Sequence, residues 1–396
     1  MAATLSADLD HTDKVVSLMT DCDELGLKVL PPDINACYHG FRPMDEHTIL
    51  YGVGAVKGVG KTVSENIETE RERNGPFHDL FDLCRRLDPR TVNKRVLEAL
   101  TKSGAMDALG AHRAALMADI DRAMQAAEQQ LTSQETGQSD MFGEVEAPKT
   151  APAGRGAEPW SAQQQLAAEK ETLGLYLTGH PYTEYRTELA AVAQKNLRSM
   201  DLTTPKSGIF AGLVFSIRTR NTRRGKMAFV TLDNASERIE VILYSEKYRQ
   251  YRPMLQKDKV LVGYGEFSLD ELTGGVQMRA ETVADIDAFR RNCLRRIHID
   301  LCEARLGGGA LKNIRRILHT ARGGEVGITV DYQRAKGERG TIRLGAEWTV
   351  RPSRQFMDAL TEFAGGDNLR FEYETAPLKN GALAKTSERP PLAAVS

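Results

Sequence analysis

The spacing of apolar residues changes along the chain and predicts three kinds of structure. From about residue 61 to 131, apolar positions recur every three or four residues, which predicts helices broken at Gly75-Pro76. Between 207 and 287 the period is two, with five extended stretches and a short helix between the third and fourth, the order of an OB-fold barrel. Residues 297–375 follow as strand, helix, strand, strand, helix, strand. The pattern therefore predicts an α+β multidomain protein.

Composition refines the boundaries between these regions. Residues 132–160 are rich in Gly, Pro, Ser, Thr, Ala and Glu, which predicts a flexible linker. The predicted order is a mixed region (1–56), a tandem helix–hairpin–helix region (57–131), the linker (132–160), a helical segment (161–206), an OB fold (207–287), a C-terminal α/β domain (288–375) and a frayed tail (376–396). Within these, single helices are expected over Asp8 to Cys22 and Leu166 to Leu177.

The charge balance narrows the possible functions. The 396 residues carry 53 Lys and Arg against 54 Asp and Glu, a net charge of −1, which argues against a protein that coats nucleic acid with its whole surface. No apolar run approaches ~18 residues, and the start lacks the regions of a signal peptide. The five cysteines never form a C-x-x-C pair. We expect a cytoplasmic protein without membrane contact.

A glycine-rich turn at residues 56–62 allows two interpretations. Gly58, Val59, Gly60 and Lys61 fit the hairpin of a helix–hairpin–helix unit, which points backbone N–H groups and a helix N-terminus at a DNA phosphate. Ala55-x-x-x-x-Gly60-Lys61-Thr62 is also a relaxed phosphate-binding loop, which would suggest nucleotide hydrolysis. Because the first glycine is replaced by alanine, the first interpretation is favoured.

A basic cluster follows this turn and could contact phosphates nearby. A second helix–hairpin–helix unit is predicted around Ser103 to Met106, although it lacks the glycine-x-glycine pair. The alternative is a helical bundle with a solvated basic face. The cluster, which has a net charge of +4 with Asp88 included, contains Arg85, Arg86, Arg90, Lys94 and Arg95.

Two apolar residues stand out within the acidic linker. Met141 and Phe142 are its only large apolar side chains before Trp160, and disordered segments keep such pairs mainly to fill a partner's pocket. The segment Gln138-Ser139-Asp140-Met141-Phe142-Gly143 resembles the peptide by which bacterial polymerases hold the sliding clamp. The alternative is a fortuitous pair that packs on its own protein.

The loop between the first two barrel strands is strongly basic. No acid occurs between Asp201 and Asp233, so this stretch has a net charge of +6. OB folds bind single strands across this face by backbone charge and base stacking, and the alternative is a solvated hairpin tip. The basic side chains of the loop are Arg218, Arg220, Arg223, Arg224 and Lys226, and the candidate stacking residues are Phe210, Phe215, Phe229, Tyr244 and Phe267.

Candidate catalytic or metal-binding groups are few. His39 and His47 lie at irregular spacing without a second pair, so no metal site is predicted. Asp285-x-Asp287 has the spacing of a two-metal site but ends the last barrel strand beside four arginines, which favours a structural role.

Several longer motifs resemble the bacterial replicative DNA polymerase III alpha subunit family, the C-family DNA polymerases. The signature-like segment is Glu171-Thr172-Leu173-Gly174-Leu175-Tyr176-Leu177-Thr178-Gly179-His180-Pro181. Leu30 to Asn35, Tyr51 to Gly60, Gly104 to Asp107 and Gln138 to Gly143 occur in the family's order. The resemblance covers nearly the whole chain up to about residue 376.

The resemblance implies a role for each region. Residues 1–56 correspond to the end of the fingers, 57–131 to the duplex-holding region, 138–143 to the clamp-binding motif, 207–287 to the OB domain near the single-stranded template, and 297–375 to the domain that binds the clamp-loader tau subunit. The family's catalytic palm has no counterpart, so Mg²⁺ is expected only for that missing part. We expect a truncated gene product or a split subunit that does not extend primers alone.

The leading hypothesis is a part of the polymerase III holoenzyme that binds DNA, sliding clamp and clamp loader, and gives processivity by tethering. Linked weak sites raise effective concentration without a single tight contact. One alternative is a stand-alone DNA-binding or repair scaffold, and another is a nucleotide hydrolase that uses Lys61 and Thr62.

Overall fold

The computed structural model describes residues 1–135, 156–194, 197, 200–270, 274–303, 309–334 and 337–381. The chain divides into two compact units, Met1–Pro181 and Tyr182–Ser396. The division falls inside the segment 161–206 that the sequence predicts as helical.

The first unit begins with two short helices and a small sheet. These are α1 (Ala2–Ala7), α2 (Thr12–Glu24), β1 (Lys28–Leu30), β2 (Arg42–Pro43) and β3 (Thr48–Leu50), and the sheet has the order β1-β3-β2. The helix predicted over Asp8 to Cys22 is present as α2, but it begins at Thr12 rather than at Asp8. The chain leaves helical geometry at Asp8, whose carboxylate accepts a hydrogen bond from Lys14 at 2.7 Å across the break.

Five further helices complete the described part of the first unit. They are α3 (Lys61–Asn74), α4 (Leu80–Arg86), α5 (Lys94–Ser103), α6 (Arg113–Glu135) and α7 (Ala162–Leu173). Side chains cap several of them, as Asn93 does by accepting from the N–H of Val96 at 3.2 Å. The helix predicted over Leu166 to Leu177 ends at Leu173, because Gly174 turns the chain into the left-handed region with φ of +80°.

A buried carboxylate fixes the signature-like segment onto this helical core. Glu169 is fully buried and accepts from the guanidinium of Arg113 at 3.0 Å. It also accepts from the backbone N–H groups of Leu177 and Thr178, each at 3.0 Å, and from the Thr178 hydroxyl at 2.7 Å. Since a buried charge is tolerated only when it is paired and hydrogen-bonded, this network has a structural role.

The second unit contains a closed five-stranded barrel. Helix α8 (Thr183–Leu189) precedes β4 (Lys206–Thr222), β5 (Gly225–Asp233), β6 (Arg238–Leu243), α9 (Ser245–Tyr251), β7 (Val260–Leu269) and β8 (Val276–Asp285). The strand order is β4-β5-β6-β8-β7, with β6 and β8 parallel. Alternate residues such as Val230, Val241 and Met278 fill the interior. The predicted OB fold is confirmed.

A mixed sheet with two covering helices follows the barrel. Its elements are α10 (Ile286–Cys293), β9 (Leu294–Cys302), α11 (Ala310–Thr320), β10 (Arg322–Gln333), β11 (Arg339–Arg343), α12 (Arg354–Ala364), β12 (Leu369–Tyr373) and α13 (Ala376–Lys379). The sheet order is β11-β10-β9-β12. The predicted α+β class is confirmed. The tail, however, begins with α13 rather than a frayed segment, because Leu378 is fully buried there.

Buried polar groups also hold the second unit together. Arg290 on α10 donates two hydrogen bonds to Glu188 on α8, at 2.8 and 2.6 Å, and the Tyr373 hydroxyl donates to the same carboxylate. Burial disfavours charge on Arg290, but the Glu188 carboxylate more than offsets this and raises the pKa of the guanidinium. Asp285 caps α10 by accepting from the N–H of Ala288 at 2.6 Å, which supports its predicted structural role.

Candidate nucleic-acid interface

The glycine-rich turn of the first unit is held from behind by two valines. Val56 and Val59 are buried in the core, whereas Gly58 and Gly60, on either side of Val59, are exposed. Gly58 has φ of +90°, a conformation that side chains with a Cβ rarely adopt. The turn therefore presents its backbone outward while its side chains anchor it.

Helix α3 starts directly from this turn. Gly60 is the N-cap residue, and no side chain caps the helix there. The first backbone N–H groups of a helix have no partner within the helix, and the helix dipole favours an anion beside them. Lys61, whose side chain is 71% exposed, makes a 3.7 Å ion pair with Glu65. Backbone donors and one lysine can thus face a single phosphate.

The basic cluster around residues 85–95 is divided by the fold. Arg86 is mostly buried, pairs with Glu70 at 2.9 Å and donates to the carbonyl of Gly75 at 2.7 Å. Its guanidinium also stacks on Phe77, 4.3 Å from the ring centroid. The prediction that Arg86 contacts DNA is therefore wrong, because its guanidinium is already hydrogen-bonded within the α3–α4 connection.

The remaining cations of the cluster differ in how far they are free to contact a phosphate. Lys94 pairs with Asp121 at 2.7 Å, and this hydrogen bond raises the pKa of the lysine. Arg85 pairs loosely with Asp82 at 3.4 Å, and Arg90 is exposed. Arg95 is exposed and lies one turn before Ala99, the residue that a side chain at Gly58 would meet at 3.9 Å. Arg95 is thus the cation of the cluster that α5 places toward the turn.

The barrel carries its basic residues on a two-residue hairpin. β4 and β5 pair from Arg218 opposite Phe229 out to Thr222 opposite Gly225, so Arg223 and Arg224 form the tip. Gly225 has φ of +109°, and the Thr222 hydroxyl donates to its carbonyl at 2.7 Å. All five basic residues of this hairpin are exposed: Arg218, Arg220, Arg223, Arg224 and Lys226.

Strand register places further residues beside this hairpin on the outer face of the barrel. Because side chains alternate along a strand, residues directly opposite one another share a face. One cross-strand row contains Arg218, Phe229, Ile242 and Arg279. The next row toward the tip contains Arg220 and Met227, and it leads to Tyr244, which follows β6 and is 53% exposed. We call these two rows the outer platform.

The platform shows which predicted stacking residues are accessible. Phe210 and Phe267 are fully buried in the barrel core, so they are excluded as stacking residues. Phe229 and Tyr244 lie on the platform, and Phe215 packs under the guanidinium of Arg238 at 4.6 Å. Ile242 and Arg279 were not predicted from the sequence, because only the register of β6 with β5 and β8 brings them into the row.

The predicted clamp-binding segment, residues 138–143, lies outside the described residues. Within the described parts of the chain, no group of three or more His, Cys, Asp or Glu side chains is arranged to hold a metal ion. In the same parts, no helix is long and apolar enough to cross a membrane.

Three known protein families match different parts of this chain. A helix-hairpin-helix motif family matches residues 26–116, an OB-fold nucleic acid binding domain family matches 209–286, and the C-terminal domain family of DNA polymerase III subunit alpha matches 313–365. DNA polymerase III subunit alpha of Vibrio cholerae is 41% identical over 377 residues, which cover 94% of this chain and 32% of that protein. The chain belongs to the DNA polymerase III alpha subunit family.

Other members agree with this assignment. The alpha subunit of Escherichia coli is 40% identical over 379 residues, and that of Pseudomonas aeruginosa is 36% identical over 392 residues. Each alignment covers 94% of this chain and 33% of the relative. The chain thus spans about a third of the length of these relatives and corresponds to the C-terminal portion of the subunit, as the order of the three matched families indicates.

Proposed function

We propose that this chain holds DNA and tethers a replicative polymerase to its partners. The barrel would bind single-stranded template, the glycine-rich turn would bind the duplex, and the linker and C-terminal domain would bind the sliding clamp and the clamp-loader tau subunit within the polymerase III holoenzyme. Several weak sites on one chain raise the effective concentration of each. Processivity would follow from the sum of these contacts.

The observation that carries the proposal is the basic hairpin beside the outer platform. Five exposed cations project from β4 and β5, and Phe229, Ile242 and Tyr244 provide flat or apolar surface next to them. Single strands bind such surfaces by phosphate contacts combined with base stacking, without a sequence code. This combination suits a DNA template, because binding then does not depend on which bases pass over the barrel.

The test is binding of a fluorescent oligo-dT to the intact chain. Changing Arg223→Ala and Arg224→Ala together should weaken binding about tenfold, since two phosphate contacts are lost, and should flatten the salt dependence. The matched control is Arg315→Ala with Arg316→Ala, which removes the same charge from exposed positions on α11. Equal affinities of the two double variants would reject the barrel as the single-strand site.

A separate proposal concerns the clamp. The side chains of Met141 and Phe142 would enter a pocket on the sliding clamp and the amide of Gln138 would hydrogen-bond at its rim, with Asp140 in the same segment. Changing Gln138, Met141 and Phe142 to alanine should abolish capture of the chain on immobilised clamp, whereas alanine at Glu146, Lys149 and Thr150 in the same linker should leave it intact. Undiminished capture by the first variant would exclude the segment as the anchor.

The proposal assigns no cofactor to this chain. Mg²⁺ would act in the catalytic palm of the polymerase, to which the residues described above do not correspond. Primer extension by the isolated chain is therefore not expected, and its contribution is measured as binding.

A further inference from the structure

Arg218 and Arg279, at the two ends of the first platform row, are both paired with glutamates. Arg218 donates to both carboxylate oxygens of Glu240, at 2.7 and 3.2 Å, and Arg279 is hydrogen-bonded to Glu266. Glu240 lies on β6 and Glu266 lies directly opposite Arg279 on β7. Both arginines of this row therefore already have an anionic partner.

The Arg218–Glu240 pair crosses the platform itself. Arg218 is on β4 and Glu240 is on β6, with β5 between them, so the arginine side chain extends over the β5 surface near Phe229 and Thr231. Arg218 is 71% exposed and Glu240 30% exposed, so water reaches the pair. Exposed pairs of this kind are weak, about 0–1 kcal/mol, and a stronger anion can replace the carboxylate.

We propose that Glu240 and Glu266 act as built-in competitors of the single strand. In the DNA-free chain they hold Arg218 and Arg279, and a bound strand exchanges their carboxylates for phosphates while Arg218 leaves the β5 surface open for a base. The two glutamates are thus positioning residues that set a moderate affinity. This inference rests on the proposed single-strand site and deepens it. A moderate affinity allows the template strand to move past the barrel.

Charge-neutral variants of the two acids test the exchange. Glu240→Gln and Glu266→Gln should each tighten binding of oligo-dT about two- to fivefold at low salt, the range expected for release of an exposed ion pair. The control is Glu281→Gln, which makes the same charge change at an exposed residue of β8 two positions from Arg279, where the β7–β8 register shifts, and whose carboxylate is not the one paired with Arg218 or Arg279. A thermal melt of each variant shows whether the barrel remains folded.

The salt dependence separates exchange from simple repulsion. In the glutamine variants the freed arginine carries a solution anion that is released on binding, so the plot of log affinity against log salt should become steeper than in the native chain. Glu281→Gln should leave the slope unchanged. Equal effects of all three variants on affinity and slope would overturn the exchange.

Failure of this inference and failure of the single-strand site give different results. If the native chain binds oligo-dT and the Arg223→Ala, Arg224→Ala variant binds it less tightly, the site stands. The competitors are then rejected if Glu240→Gln and Glu266→Gln match Glu281→Gln. If the native chain does not bind oligo-dT, the site itself is rejected.

Discussion

The glycine-rich turn and the barrel hairpin are both proposed to bind DNA phosphates, but through different interactions. The turn offers backbone N–H groups at the start of α3 and one exposed lysine, whereas the hairpin offers five exposed cations. Backbone donors are fixed by the fold and carry no net charge, while long basic side chains are mobile and strongly charged. DNA binding at the turn should therefore depend on backbone geometry, and DNA binding at the hairpin on ionic strength.

A change of backbone geometry at the turn should have the largest effect on duplex binding and should not affect single-strand binding. Gly58→Val places a β-branched residue at φ of +90°, where strain costs on the order of 1–3 kcal/mol. We expect duplex affinity to fall about tenfold or more, because the N–H groups of the turn are displaced, while oligo-dT affinity stays unchanged. Fluorescence anisotropy with both probes measures this.

The control for this change lies in α3, the helix that follows the turn. Thr62→Val introduces the same side chain at an exposed position of α3 without the strained backbone. If it weakens duplex binding as much as Gly58→Val does, geometry is not the property on which the turn depends.

A smaller effect should separate two neighbouring cations of the basic cluster. Arg95→Ala should weaken duplex binding about three- to fivefold, because α5 points this residue toward the turn. Lys94→Ala should change it less than about twofold, since the ammonium is already paired with Asp121 at 2.7 Å. Duplex titrations of the two single variants make the comparison, and the reverse order of effects would contradict the placement of the cluster.

Local patterns were enough to predict the barrel and the position of its basic hairpin. Strand alternation and turn residues are properties of adjacent positions, so residues 207–287 can be divided into strands before any pairing is known. The break at Asp8 and the end of α7 at Gly174 depend on single hydrogen bonds and one left-handed residue. Periodicity does not contain that information.

Contacts between distant positions could not be predicted. The row that joins Arg218, Phe229 and Arg279 exists because β6 pairs with β5 on one side and with β8 on the other. The basic neighbours of Arg86 in sequence predict a DNA-contacting residue. Its carboxylate partner, Glu70, is 16 residues away and becomes adjacent only when α3 and α4 pack.

The salt dependence of binding to two probes tests the central claim most directly. For oligo-dT, three to five phosphate contacts at the barrel predict a slope of log affinity against log salt of about −2 to −3.5, whereas one or two contacts at the turn predict about −1 to −2 for a blunt duplex. The measurement needs only the intact chain and a series of salt concentrations. A steeper slope for oligo-dT than for duplex is the predicted result. A duplex slope as steep as that for oligo-dT, or a flat response to oligo-dT, would contradict the account.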